Sequence, residues 1–197
     1  MKTMILLMLN VFFVGILGAG EFKLTESLDR DYWTGIRGVH VVDLEKSSKF
    51  AEVPTGSDEL KSGFKALSWD DHGKDRRWAN LFGQKIYGFL VPPVSGEYIF
   101  ALSNDDEAVF FISSDANPDN KKFILKNRIS KYGEWKNSSK PIKLEAGKVY
   151  YVEVLHKEHA GDTYVMLGWQ VPGSEEIELV PAECLSSFKA GVPTSAK

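Results

Sequence analysis

The stretch YIFALSNDDEAVFFISSD, residues 98–115, decides the fold of this 197-residue chain. Apolar residues alternate with other residues on both sides of an acidic centre, which is the period-2 pattern of β-strands. The residues expected on one face of the two strands are Tyr98, Phe100, Leu102, Ala108, Phe110 and Ile112. The sequence therefore predicts two strands joined at Asp105-Asp106.

The acidic joint is unusual for a simple turn. Tight hairpins favour Asn-Gly or Asp-Gly, and residues 103–107 contain no glycine. Adjacent carboxylates repel each other unless water or a cation screens them, and calcium collects about six to eight oxygen ligands of this kind. A solvated acidic loop and a cation site both remain open from these residues alone.

Further strands are predicted at short intervals along the rest of the chain. Alternating or apolar runs bounded by turn residues cover 84–91, 97–103, 122–125, 141–144, 149–155 and 163–170. Residues 21–60 are predicted to be loosely structured apart from one alternating segment at 38–44. Residues 57–67 could form a short helix, and a last strand or two is expected after residue 172. Short strands without a long helix indicate an all-β antiparallel β-sandwich or barrel.

The N-terminus has the layout of a secretory signal peptide. Residues 1–20, MKTMILLMLNVFFVGILGAG, contain a lone Lys2, an apolar run and then small residues. A membrane anchor fits less well because Asn10 interrupts a run that is shorter than the roughly 20 residues of a membrane span. We expect cleavage, secretion to the extracellular space and no membrane insertion afterwards.

The composition limits the possible binding partners and the possible disulfides. The net charge is −3, or −4 without the signal peptide, and the basic residues are dispersed, which argues against nucleic acid. Cys184 is the only cysteine, so an internal disulfide is excluded and a small buried core residue is favoured over an intermolecular bridge. Asn137-Ser138-Ser139 is a sequon that predicts an N-glycosylation site at Asn137.

Four segments together resemble a known family. They are Gly88 to Phe100, Ser103 to Asp106, Leu144 to Tyr151, and Leu167-Gly168-Trp169. In this order they are similar to a PA14 domain, and the resemblance covers about 31–172. It implies a β-sandwich that occurs as a module of toxins, glycosidases, adhesins and other extracellular proteins. We therefore predict a signal peptide at 1–20, a PA14-like sandwich at 21–172 and final strands with a tail at 173–197.

The resemblance also implies a site. The adhesin branch of the family binds carbohydrate through calcium, which is held by an Asp-Asp pair with a cis peptide bond and by a later loop. The corresponding metal ligands here would be Asp105, Asp106 and, from the late loop, Asp162, where adhesins usually have Asn. Sugar contacts are expected from the same loop and from one tryptophan, namely Lys157, Glu158, His159, Tyr164 and Trp135.

Catalytic interpretations fit poorly. A glycosidase needs two carboxyl groups about 5–10 Å apart across a sugar, and the neighbours in Asp70-Asp71 or Asp105-Asp106 seldom face each other in that way. His156-Lys157-Glu158-His159 has a shorter spacing than the zinc helix motif. No nucleophile motif is present in the sequence.

The sequence thus predicts a secreted, non-enzymatic, calcium-dependent carbohydrate-binding module. The alternative is a structural or protein-interaction module in which a bound ion only stiffens the loops. The two differ in whether the ion keeps a coordination position open for sugar hydroxyls.

Overall fold

The computed structural model describes residues 23–67 and 80–194. The predicted signal peptide and the charged segment that contains Asp70, Asp71, Trp69 and Trp78 lie outside these ranges. Within them, no helix is long and apolar enough to cross a membrane.

The described residues form two antiparallel sheets, which confirms the predicted β-sandwich. The strands of the larger sheet are β1 (Leu28–Thr34), β2 (Gly56–Leu60), β4 (Phe82–Leu90), β6 (Glu107–Ile112), β7 (Lys122–Asn127), β9 (Tyr150–Glu158) and β12 (Leu185–Ser187). Its order is β2-β1-β4-β9-β6-β7, and β12 also pairs with β4. The smaller sheet contains β3 (Lys65–Leu67), β5 (Gly96–Asp105), β8 (Ile142–Leu144), β10 (Tyr164–Gln170) and β11 (Glu178–Leu179). Its order is β11-β10-β5-β8, with β3 also on β10.

The main core lies between the sheets and follows the predicted alternation. Tyr98, Phe100 and Leu102 of β5 are fully buried there, and so are Ala108 and Phe110 of β6. The Phe100 and Phe110 rings lie 5.1 Å apart across the sandwich. The two strands therefore belong to opposite sheets, and the acidic joint is the place where the chain crosses from one sheet to the other.

Strand β9 is central and is buried on both faces. It pairs with β4 on one side and β6 on the other. Tyr150, Val152 and Val154 point into the main core, while Leu155 packs under Val41 on the outer face. Because alternate residues share a face, His156 and Glu158 continue the inward row to the rim of the sandwich.

Three local predictions were wrong. The alternating segment at 38–44 overlaps a short helix, α1 (Val41–Glu45), since burying Val41 and Leu44 places positions i and i+3 on one side. Residues 57–67 contain β2 and β3 rather than a helix. The segment predicted to be loosely structured, 21–60, includes β1, whose side chains are largely buried.

The chain after residue 172 remains part of the sandwich. Strand β11 extends the smaller sheet and β12 the larger one. Cys184 lies in the main core between them, and burial raises the pKa of its thiol to about 12. This burial confirms the prediction of a core cysteine.

Candidate functional site

The candidate site lies at the rim where β5 passes into β6. Asp105 ends β5 opposite Tyr164 of β10, and Glu107 begins β6 opposite Lys157 of β9. The Asp105-Asp106 peptide bond is cis, the feature that the family resemblance implies. The pair therefore bridges the two sheets, with β9 and β10 on either side of it.

Two side chains hydrogen-bond to the main chain of this crossing and fix its position. His156 Nε2 donates to the Asp105 carbonyl at 2.7 Å, and the Asn104 Nδ2 lies 3.0 Å from the Asp106 carbonyl. Both main-chain oxygens of the pair thus accept hydrogen bonds inside the protein, and the two half-buried carboxylates are the groups that can meet a ligand from solvent.

The tautomer of His156 follows from its partners. A carbonyl can only accept, so Nε2 carries the proton and Nδ1 accepts from the Gln84 amide at 2.8 Å. Complete burial lowers the pKa of His156 to about 4, only partly offset by the Asp105 carbonyl. The imidazole is therefore neutral near pH 7.

A third carboxylate joins the pair. Asp105, Asp106 and Glu158 each offer an oxygen, and these three atoms lie within 4.8 Å of one another. The two aspartates are half-buried, whereas Glu158 is fully buried. Sequence reasoning placed Glu158 among the sugar contacts, although its position two residues after His156 on an alternating strand could have indicated an inward side chain.

The raised pKa values of two carboxyl groups show that the negative charges of the cluster repel one another. Burial, followed by the charge of Asp106, raises the pKa of Asp105 to about 6. Burial, followed by Asp106 and Asp105, raises the pKa of Glu158 to about 9, and Lys157 and the Ala160 N–H offset this only in part. The cluster holds its full negative charge at pH 7 only if a positive charge joins it.

Asp162 has a different position from the other expected metal ligands. It is exposed, and its charge contributes to the raised pKa of Asp105, so it is near the pair. Among the described residues, however, the group of carboxylates within 4.8 Å contains Glu158 and not Asp162.

The residues expected to contact sugar are divided between surface and interior. His159 is exposed, and its backbone N–H donates to Asp106 Oδ2 at 2.8 Å. Lys157 and Tyr164 are buried, which keeps both side chains from an approaching sugar. Burial lowers the pKa of Lys157, whose Nζ donates to the Glu158 carbonyl at 2.6 Å.

Two aromatic residues differ in what they present to solvent. Trp135 is half-buried and packs over Gly168, where a Cβ would come within 2.9 Å of its ring. Tyr132, which sequence reasoning missed, is 53% exposed and packs edge-to-face on Tyr164 with 5.4 Å between ring centroids. An exposed tyrosine in a polar loop carries little sequence signal, so only the fold shows that it lies beside the rim.

An open cleft adjoins the carboxylates. Its volume is about 370 Å³, and its lining includes Arg37, Asn80, Leu81, His159 and Ala160. Since His159 is bonded to Asp106, the cleft and the acidic cluster are separated by one residue.

The predicted glycosylation residue is exposed but engaged. The Asn137 Nδ2 donates to Asn127 Oδ1 at 3.0 Å and to the Lys126 carbonyl at 3.3 Å. A glycan on this nitrogen would have to be accommodated at the cost of one of these bonds.

Comparison with known proteins agrees with the geometry. The PA14 domain family model matches residues 35–182. A mouse N-acetyl-beta-glucosaminyl-glycoprotein 4-beta-N-acetylgalactosaminyltransferase 1 is 32% identical over 126 residues, which are 57% of this chain. The matched part is only 12% of that protein's length.

Two solved structures share the fold. The PA14 domain of an antifreeze protein, MpAFP, superposes with a TM-score of 0.60 at 12% identity, covering 84% of this chain and 93% of that one. The Epithelial Adhesin 9 A domain of Candida glabrata, solved in complex with Galb1-4GlcNAc, gives 0.57 at 14% identity, covering 85% and 93%.

Proposed function

Because the chain belongs to the PA14 domain family, we propose that it is a secreted carbohydrate-binding module that takes up sugar through a calcium ion at Asp105 and Asp106. The observation that carries the proposal is the convergence of three carboxylate oxygens within 4.8 Å beside an open cleft. Calcium prefers carboxylate oxygens and tolerates irregular geometry. No catalytic role is proposed for this site.

The position of the cluster supports binding of an external ligand. Asp105 and Asp106 are half-buried, so a cation between them would remain reachable from solvent. A calcium ion with three carboxylate ligands still has room for further oxygens, and vicinal sugar hydroxyls are oxygens of the required kind. Sugar binding should then require the ion and should be weak per site, as expected for a small polar ligand.

The surroundings suggest which side chains touch the sugar. His159 lines the cleft and is tied to Asp106, and Tyr132 presents an exposed ring on the other side, next to Tyr164. Aromatic side chains offer an apolar face with a polar tip, which suits a sugar ring. The fold of the Candida adhesin domain, solved with a bound disaccharide, is compatible with this use of the scaffold.

A glycan array is the experiment that tests this function. The purified protein is applied in calcium chloride and again in excess chelator, with an Asp105→Asn/Asp106→Asn variant as the matched control. We expect glycan binding only by the wild-type protein in calcium. Binding that survives in chelator, or in the double variant, would contradict calcium dependence. Absence of any binding by the wild-type protein would favour a structural or protein-interaction module.

A further inference from the structure

Glu158 differs from the other buried glutamates because no side chain among the described residues bonds to its carboxylate. Glu153, on the same strand, accepts from Lys121 Nζ at 2.7 Å and from the Tyr151 hydroxyl at 2.6 Å. Glu107 accepts from the Val41 N–H, His40 Nδ1 and Lys126 Nζ. Neither carboxylate oxygen of Glu158 has a hydrogen bond of normal geometry within the described part of the chain, although both atoms are buried, and the Ala160 N–H stabilises its charge only in part.

The neighbouring lysine does not pair with the carboxylate of Glu158. Lys157 is buried beside Glu158, but its Nζ donates to the main-chain carbonyl of Glu158 and not to the carboxylate. The ion pairs between described residues include none that involves Glu158. Burying an unpaired carboxylate is costly, so the surroundings of Glu158 favour a positive charge that the described chain does not supply.

The alternation of β9 aims this side chain at the acidic pair. Glu158 lies in the inward row that contains Val154 and His156, and it is the last residue of the strand. His156 holds the Asp105 carbonyl from this row, which brings the crossing over the end of β9. The carboxylate of Glu158 thus approaches Asp105 and Asp106 from inside the sandwich.

The distances suit one shared ion. Calcium lies about 2.3–2.6 Å from each oxygen ligand, so two oxygens on the same ion are at most about 5 Å apart. The oxygens of Asp105, Asp106 and Glu158 lie within 4.8 Å of one another, which is inside this limit.

We propose that Glu158 is the interior ligand of the rim cation, binding it from below while Asp105 and Asp106 bind it from the surface. This assignment rests on the proposed calcium site. It makes Asp162 an outer charge that attracts the ion without being a necessary ligand. It also leaves the outer hemisphere of the ion open for sugar hydroxyls, since Glu158 occupies the inner side.

Calcium chloride titration by calorimetry, together with thermal melting in chelator, tests the assignment. Glu158→Gln keeps the shape and removes the charge. We expect it to weaken calcium binding by about 10- to 100-fold, because the affinity of a calcium site depends on the number of its charged ligands. Its melting temperature in chelator should be equal to or above that of the wild type, because buried Glu158 must either take up a proton on folding or carry an unpaired charge, and a neutral amide avoids both costs.

Glu153→Gln is the matched control on the same strand. Because Glu153 is fully partnered, this variant should melt lower than the wild type in chelator and bind calcium within about twofold of it. Asp162→Asn should weaken calcium binding less than Glu158→Gln does. A purely structural role for Glu158 would instead give a lower melting temperature and an unchanged calcium affinity.

The outcomes separate this inference from the proposed function. Suppose that the wild type binds calcium and the Asp105→Asn/Asp106→Asn variant does not. If Glu158→Gln then binds calcium as well as the wild type, the Glu158 assignment is overturned, while the calcium site at the two aspartates is supported. If the wild type itself takes up no calcium, the proposed function loses its ion and the assignment fails with it.

Discussion

The imidazole of His156 and the main-chain carbonyl of Asp105 form a hydrogen bond of 2.7 Å across the rim of the sandwich. The donor is fixed because a carbonyl cannot donate, and the Gln84 amide on Nδ1 holds the ring in that tautomer. A residue of the larger sheet thereby positions the end of a strand in the smaller sheet, next to the carboxylates of the candidate site.

Replacing this histidine should affect both the fold and the ion. In His156→Phe, the Asp105 carbonyl and the Gln84 amide lose their partner, and we expect the free energy of unfolding to fall by about 1–3 kcal/mol. Calcium affinity should fall as well, because the crossing is less well fixed. His159→Ala is the control: its side chain is exposed and its contact with Asp106 comes from the backbone, so its stability should change by less than about 0.5 kcal/mol. Melting curves and calcium titration measure both effects, and unchanged values in His156→Phe would contradict the positioning role.

Calcium should stabilise the folded protein through the acidic pair. At a free concentration of about 100 times the dissociation constant, binding to the native state alone adds about 2.7 kcal/mol to the free energy of unfolding. Asp105→Asn combined with Asp106→Asn should remove this increase and leave the protein folded in chelator, since the substitutions keep shape and reduce repulsion. Chemical denaturation with and without calcium measures the difference. Equal responses of wild type and variant would mean that the pair is only a solvated joint.

The metal ligands should determine whether sugar binds, and the neighbouring side chains should determine which sugar is preferred. Asp106→Ala should abolish binding of any glycan found on the array, because it removes a metal ligand. Tyr132→Ala should weaken binding several-fold, since the variant loses the exposed ring that offers the sugar an apolar face. His159→Ala should change the order of preferred glycans. Calorimetry with the selected glycan checks all three, and an Asp106→Ala protein that binds like the wild type would refute the model of an ion-bridged sugar.

A different carboxylate should control acid stability. Burial alone would raise the pKa of Asp31, but hydrogen bonds from Ser57, Tyr87 and Lys189 outweigh it and lower the pKa. A carboxyl group whose folded pKa is lowered contributes stability above its unfolded pKa, near 4, and loses that contribution as the pH falls through the folded value. Asp31→Asn should therefore melt below the wild type at pH 7, with the difference shrinking below about pH 3. A difference that stays constant with pH would show that charge is not the cause.

Processing of the N-terminus is a further prediction. The apolar run ends in Gly18, Ala19 and Gly20, and small residues of this kind precede signal-peptide cleavage. Sequencing the N-terminus of protein secreted from cells should give a start just after one of these three positions. A secreted chain that retains Met1 would refute cleavage.

The sandwich was predictable because its strongest strands carry their period in the sequence. Tyr98, Phe100 and Leu102 alternate as the fold requires, and both flanking strands of the acidic joint are where the pattern predicts them. Helix α1 was not predicted because the apolar run of Val39, Val41 and Val42 fits the period of a strand as well as that of a helix. The helix is selected by packing against the outer face of β9, which is distant in sequence.

The site was only half predictable for a similar physical reason. Asp105 and Asp106 stand out as adjacent charges, whereas Glu158 looks like an ordinary member of a charged loop. What distinguishes it is burial without a side-chain partner in the described part of the chain, which depends on where β9 ends relative to the crossing. Likewise, nothing in the sequence distinguishes Tyr132 from other exposed aromatics until the loop is placed beside Tyr164.

Strand β9 has a consequence for the thermodynamics of ion capture. It is paired on both edges and covered on both faces. We therefore expect this segment to open only on nearly global unfolding and its amides to exchange slowly with solvent. A ligand atom attached to such a segment is already ordered before the ion arrives. An ion held from β9 would therefore immobilise little of the chain, and only the outer carboxylates would lose conformational entropy on binding.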